Sequence, residues 1–258
     1  MILLLDVGNS RIKAASLENG QISPIGSVEH RGVGLGPAVV AAERLPNNVD
    51  RIVASCVAGP ITQGELGAAL ADRFGVQAEF VTAAEEACGV TNAYVKPHRL
   101  GADRWAALVG AHARGHRITC VIDAGTALTV DGLINGHHLG GLILPGLDLM
   151  RGALLEETGE LRALSEDPLS GGMELFANDT HEAIVRGSMV AAISVIQRCR
   201  KSMAHRAGQS PEMMLTGGDA QRLLALFDEP VIYAPHLTLE GLAILAEQSA
   251  VEEEEAAG

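Results

Sequence analysis

One short pattern occurs twice in this chain, and its repetition constrains the fold more than any other feature. Met1 to Lys13 reads MILLLDVGNSRIK, and Val121 to Gly136 reads VIDAGTALTVDGLING. Aligned, Asp6 falls on Asp123, Gly8 on Gly125, Asn9 on Thr126, and Asn19-Gly20 on Asn135-Gly136. The acids stand 117 positions apart (123 − 6) and the asparagines 116 (135 − 19), so the second copy is one residue shorter between them. Each copy predicts a strand, an Asp-x-Gly turn, a second strand, an Asn-Gly turn and a third strand, because β-runs flanking Asn-Gly pair as hairpins. A hairpin unit that recurs in this way implies two related halves.

The remaining pattern fills in both halves. Beyond the hairpins, strands are predicted over 51–56, 76–81, 213–215 and 230–233. Helices are predicted over 37–45, 62–74, 101–112, 147–155, 180–205, 220–227 and 236–248, with Thr180 as a candidate N-cap. Residues 91–100 and 158–179 read as loops, and the final VEEEEAAG as a frayed, solvated end. Both halves then run hairpin-strand, helix, strand, helix. That predicts an α/β chain of two duplicated domains, 1–116 and 117–258, with the boundary near Gly115-His116. No Pro/Ser linker marks the boundary, so the halves are expected to pack closely around a cleft. Hydrophobic residues make up 47% of the 258 but aromatics only 3%. The core must therefore come from Ala, Val, Leu and Ile, as in sheets covered by helices.

Charge and apolar runs exclude several function classes. The net charge is −13 with no Lys/Arg cluster to offset it, which disfavours nucleic-acid binding. No apolar run reaches the roughly 20 residues that span a bilayer, and MILLLDVGN lacks the basic start of a signal peptide. Cys56, Cys88, Cys120 and Cys199 are widely spaced with no CxxC pair, and they read as structural thiols in a reducing cytoplasm.

The repeated turns carry the chemistry. Gly8 has no Cβ, so backbone N–H groups can approach a ligand there. Asp6 at a strand end can hold a divalent ion, and Lys13 is a point charge suited to phosphate. Asn9 and Ser10 in one turn, and Thr126 and Thr129 in the other, add amide and hydroxyl groups, so the two turns together suit a phosphate clamp. An acid before Gly-Asn also occurs at ordinary hairpin turns, and the first turn alone leaves both readings open. LTGGDA, residues 215–220, is a third glycine turn: a resting place for a nucleobase or ribose, or a plain strand-to-helix turn. GxGxxG and GxxxxGK[ST] are both absent, which excludes the dinucleotide fingerprint and the P-loop. His112 and His116 stand four apart but lack a third metal ligand, so they read as a polar helix face. His137-His138 read as hairpin surface and Trp105 as core.

DVGNS with Lys13, DAGTALT and LTGGDA, in that order, resemble the nucleotide-binding motifs of the actin, sugar-kinase and heat-shock ATPase superfamily. Within it, the chain resembles the type III pantothenate kinases. RLGADRW at 99–105, GGLILPG at 140–146 and NDTHEAIVRG at 178–187 are the sharper matches, and the likeness runs from Ile2 to about Leu245. The resemblance implies a duplicated ribonuclease-H-like fold with ATP in the cleft. It implies transfer of the γ-phosphoryl group of ATP to the primary hydroxyl of pantothenate, the first step towards coenzyme A.

Residue roles follow from the same resemblance. Asp6, Val7, Gly8, Asn9, Ser10, Arg11, Ile12 and Lys13 match the first ATP phosphate motif, with Asp6 beside the Mg²⁺ that accompanies ATP. Thr126 matches a further ATP contact, and Asp123 the ligand of a monovalent cation, K⁺ or NH₄⁺. Asp103 matches the general base. Gly101, Ala102, Asp103 and Arg104 match the pantothenate-binding segment, and Tyr94 a further substrate contact. Thr180 matches a substrate contact drawn from the neighbouring subunit of a homodimer.

The residue types agree with these roles. A carboxylate accepts the hydroxyl proton, and the planar fork of Arg104 suits the pantothenate carboxylate. Spacing alone leaves Asp103 equally readable as first-turn negative charge on a helix. Asp123 has no basic neighbour in sequence, which suits a cation ligand. Ser10-Arg11 departs from the family's usual Thr and small or apolar residue, which leaves Arg11 readable as solvent-facing. Two alternatives stand beside this reading. One is a nucleotide-sensing regulatory (transcription accessory) protein of the same fold, against which the Asp103-Arg104 pair argues. The other is a kinase for sugars or acetate, against which Gly101 to Arg104 and Tyr94 argue.

Overall fold

The computed structural model describes residues 1–30, 34–41, 44–158 and 175–257. Most of the loop expected over 158–179, namely 159–174, lies outside the described residues. The first sheet has the order β3-β2-β1-β4-β5. Its strands are β1 (Ile2–Val7), β2 (Arg11–Glu18), β3 (Gln21–Glu29), β4 (Arg51–Cys56) and β5 (Ala78–Phe80). β1 pairs antiparallel with β2 and parallel with β4. Both faces of β1 are covered, which is why ILLL reads as an unbroken apolar run; Leu3, Leu4 and Leu5 are fully buried. Leu3 and Leu5 share a core with Leu66 and Leu70 of α2 (Pro60–Phe74) and with Leu35 and Ala38 of α1 (Leu35–Ala41). Leu4 faces the other way, into a core with Ala106 of α3 (Ala102–Ala113) and Leu242 of α7 (Leu237–Ala257).

The second sheet has seven strands in the order β12-β11-β8-β9-β10-β7-β6. They are β6 (Glu86–Ala87), β7 (Val90–Thr91), β8 (Ile118–Ala124), β9 (Ala127–Ile134), β10 (His137–Pro145), β11 (Glu212–Thr216) and β12 (Val231–Tyr233). The run β10-β9-β8-β11-β12 repeats β3-β2-β1-β4-β5, so the duplication extends from the turns to the strand order. Both Asn-Gly turns take the left-handed conformation that a two-residue hairpin requires: Asn19 and Asn135 have φ of 50°, Gly20 74° and Gly136 80°. The missing residue of the second copy lies in the Asp-x-Gly turn itself. The Gly8 N–H donates to Arg11 O, three residues on, whereas the Gly125 N–H donates to Ala127 O, two residues on.

Three expectations need correction. The short β6–β7 hairpin within 86–91 was not expected, since two-residue strands carry no periodicity. The helix expected to end at 248 runs to Ala257, so VEEEE continues α7; glutamate favours the helical backbone. The cap of α5 (Thr180–Ala207) is Asp179, not Thr180: its carboxylate accepts the Glu182 N–H at 3.1 Å.

The residues group into two compact units. One contains Met1–Thr119, Leu133–Gly140 and His236–Gly258, and the other Cys120–Gly132 and Gly141–Pro235. α7 thus belongs with the N-terminal elements. It meets α3 backbone to backbone, since a Cβ added at Gly241 would come within 1.7 Å of Ala106 O. In the second unit lie α4 (Leu147–Thr158), α5 and α6 (Ala220–Leu224), and α5 buries the stripe Val185, Met189, Ala192 and Ile196. None of the four cysteines is in a disulfide, and burial pushes the Cys120 thiol well above its ordinary range. Among the described residues, no helix is long and apolar enough to cross a membrane.

Candidate active site

In the first unit, β1 ends by delivering Asp6 to the turn. Its register partner on β2 is Lys13, whose Nζ lies 3.9 Å from Asp6 Oδ2. Ser55 on β4, also in register with Asp6, donates from Oγ to Asp6 Oδ1 at 2.9 Å. The carboxylate is therefore held from both neighbouring strands. The turn is clasped from β3's end: His30 donates from Nε2 to Gly8 O at 2.8 Å, and its backbone N–H donates to Ser10 O at 3.1 Å. Val7 and Ile12 place their side chains in the core, so only their backbones face the turn. Arg11 pairs with Glu29, its cross-strand partner, and its side chain is 54% exposed.

The fit to a divalent ion rests on this arrangement. Among the described residues no three His, Cys, Asp or Glu cluster as a metal cage. Mg²⁺ carried with ATP needs one or two carboxylates plus phosphate oxygens and water, and one strand-end carboxylate beside Lys13 meets that need.

The head of α3 forms a second cluster in the same unit. Gly101 precedes the helix, and a Cβ there would lie 2.5 Å from Asp103 Oδ1, so glycine leaves room for the acid. Asp103 Oδ1 accepts the Arg104 N–H at 2.7 Å in the first helical turn. Arg104 is buried, at 6% exposure. Its Nη1 donates to Tyr94 Oη at 2.9 Å, and its guanidinium lies 5.7 Å from the centre of that ring. The loop carrying Tyr94 is pinned by Asn92, whose amide donates to Ala84 O and Pro97 O and whose Oδ1 accepts the Tyr94 N–H. Tyr94 also stacks on His138, with ring centres 6.1 Å apart and planes 14° off parallel.

The expectation that His137-His138 is hairpin surface holds for His137 alone. His138 is 5% exposed, because successive residues of a strand point to opposite faces. His112 is also more than a polar face. Its Nδ1 is buried, and a Cβ at Gly89 would lie 2.9 Å from its Nε2, so the ring packs against that turn.

In the second unit, three turns meet at Asp123 to Thr126. The Asp219 N–H donates to Ala124 O and the Gly146 N–H to Thr126 O, each at 2.9 Å. Gly217, at φ of 100°, lies so close that a Cβ would be 2.3 Å from Ala124 O and 2.5 Å from Asp123 Oδ1. A Cβ at Gly146 would be 2.1 Å from Gly125 O. Gly217 of LTGGDA and Gly146 of Pro145-Gly146 are thus what lets this turn exist. Arg222 of α6 reaches Asp148 at 3.0 Å and Asp219 at 2.9 Å, tying two of the turns. Burial, then Asp148, pushes the Asp219 carboxyl above its ordinary range, against the pull of Arg222. Asp123 Oδ1 and Ala124 O both lie against Gly217, and oxygen donors of that kind are the ones hard cations take.

Thr180 is exposed at the start of α5, on a groove of about 550 Å³ lined by Met150, Leu154, Ala183 and Ile184. Large apolar side chains are exposed in the same unit: Leu154 at 52%, Ile143 at 63% and Phe176 at 85%.

Known proteins resemble this chain in sequence and in fold. The family model described as type III pantothenate kinase matches residues 2–202. A type III pantothenate kinase from Nitrosococcus oceani is 36% identical over 255 residues, covering 96% of this chain and 95% of its own. A solved structure of a conserved putative Baf family transcriptional activator from Campylobacter jejuni matches with a TM-score of 0.61 at 22% identity, covering 96% of this chain and 99% of that one. A putative 2-dehydro-3-deoxygalactonokinase from Sinorhizobium meliloti matches with a TM-score of 0.57 at 15% identity, covering 96% and 99%. At those identities the two structures speak to the fold alone, which is the two-domain α/β fold of actin-like sugar kinases and ATPases. The family model and the relative of nearly equal length go further: the chain belongs to the type III pantothenate kinase family.

Proposed function

We propose that this chain transfers the γ-phosphoryl group of ATP to the primary hydroxyl of pantothenate, giving 4'-phosphopantothenate, the first step of coenzyme A biosynthesis. The observation that carries the reading is the head of α3: an acid given room by Gly101, next to a buried arginine seated on Tyr94. Arg104 pairs the carboxylate of pantothenate and orients the molecule. Asp103 accepts the proton as the hydroxyl oxygen attacks the γ-phosphorus and the bond to ADP breaks. Tyr94, Gly101 and Ala102 line the acceptor, and Thr180 reaches it from a second subunit.

Asp6 and Lys13, with the backbone of Val7 to Ile12, hold the phosphates of ATP; Asn9 and Ser10 add polar side chains. Thr126 is a further ATP contact. Mg²⁺ at Asp6 and K⁺ or NH₄⁺ at Asp123, when bound, neutralise phosphate charge. Arg11 contributes its backbone, its side chain being paired with Glu29. The active form is a homodimer, a reading supported by the exposed apolar groove on which Thr180 lies. The four free cysteines support a cytoplasmic setting. Asp103→Asn tests the core of the proposal. Pantothenate-dependent ADP release is expected to fall about 10²–10⁴-fold while pantothenate binding by calorimetry is kept. Turnover at the wild-type rate would remove Asp103 as the base.

A further inference from the structure

We infer that His138 is a positioning residue for the acceptor, acting through Tyr94 on Arg104. The inference rests on the reading that Tyr94 and Arg104 bind the carboxylate of the acceptor. His138 touches that segment at two points. Its ring stacks on Tyr94 in an offset, nearly parallel arrangement, with centres 6.1 Å apart, inside the range where aromatic pairs attract. Its Nδ1 accepts the N–H of Ala93, the preceding residue, at 3.4 Å. A bond in that direction uses the lone pair on Nδ1.

One side chain therefore fixes both the loop backbone and the ring it carries. The strand below it is fixed as well: β10 pairs with β7 at His137 and Thr91, and the Thr91 N–H donates to Gly136 O at 2.9 Å. Tyr94 in turn holds Arg104 from its hydroxyl and its ring face. Fixing a buried guanidinium in one orientation matters, because a planar fork pairs a carboxylate only when the two planes align. A histidine that merely filled core volume would need neither the parallel stack nor the bond to Ala93.

The test measures KM for pantothenate, KM for ATP, kcat and the melting temperature in His138→Ala, His138→Phe, Tyr94→Ala, Arg104→Leu and the double variant His138→Ala/Tyr94→Ala. His138→Ala is expected to raise KM for pantothenate about tenfold with KM for ATP unchanged. His138→Phe keeps a stacking ring and is expected to recover part of the loss; it carries the test if the alanine variant does not fold. In the Tyr94→Ala background, adding His138→Ala is expected to cost nothing more, because one route is being cut twice. Additive losses, or a rise in both KM values, would overturn the inference in favour of a structural role. So would an unchanged pantothenate KM in His138→Ala when Tyr94→Ala and Arg104→Leu raise it. If Tyr94→Ala and Arg104→Leu leave that KM unchanged, the acceptor reading itself fails, and the inference with it.

Discussion

Arg104 shows how much a single side chain determines. At 6% exposure it is one of the few buried cations among the described residues, and its position is set by Tyr94 from one side and by the first turn of α3 from the other. Arg104→Lys keeps the charge but loses the fork, and KM for pantothenate is expected to rise roughly tenfold while KM for ATP stays constant. Steady-state kinetics with each substrate varied in turn decides it. Asp123 sets a second expectation: activity in potassium or ammonium buffer and little in sodium alone, with Asp123→Ala abolishing the difference. Full wild-type activity in sodium would dismiss the cation role.

At this scale the sequence is informative where function fixes residue types at fixed spacings. Asp6 and Gly8 stand out because they recur at Asp123 and Gly125, and Lys13 lies opposite Asp6 on the neighbouring strand. His30 and His138 are not readable. Each acts by touching a residue distant in sequence, Gly8 and Tyr94 respectively, and no local pattern records that.

Among elements, glycines decide where turns and helices can meet. Gly217 combines a left-handed φ of 100° with a carbonyl 2.3 Å from where a Cβ would stand. Gly217→Ala is expected to destabilise the protein by about 1–3 kcal/mol and to weaken ATP binding, because the turn at Asp123 must move to admit the methyl group. Thermal unfolding and nucleotide titration measure the two effects, and an unchanged ATP affinity would separate this turn from the nucleotide site. At the α3–α7 crossing, Gly241→Ala places a methyl 1.7 Å from Ala106 O and is expected to lower the melting temperature.

The hairpins are legible in the amino-acid sequence, because Asn-Gly sets both the turn and the register. The α3–α7 crossing is not. A glycine inside a helical pattern signals neither its partner nor the fact that α7 joins the N-terminal unit. The β6–β7 hairpin escapes for a different reason, since two-residue strands leave too little pattern to read.

For the whole molecule, duplication is the governing fact. The same five-strand order appears in both sheets, each built around a strand that ends at an Asp-x-Gly turn. Such a chain presents two related turns, one at the end of the central strand of each five-strand run. The assembly makes its own prediction. If the apolar groove beside Thr180 joins two copies, Leu154→Glu is expected to yield monomers by light scattering and to raise KM for pantothenate, since each acceptor site would lose the second subunit's threonine. A dimer that persists in that variant would place the contact elsewhere.

The identity of the acceptor decides what this chain does. The most direct measurement incubates the purified protein with ATP labelled at the γ-phosphate and, in separate reactions, pantothenate, a panel of sugars, and acetate, then identifies the labelled product by mass. Label on pantothenate alone, at its primary hydroxyl, is the predicted result. Label on a sugar or on acetate with none on pantothenate, or ATP binding with no transfer to any acceptor, would contradict it.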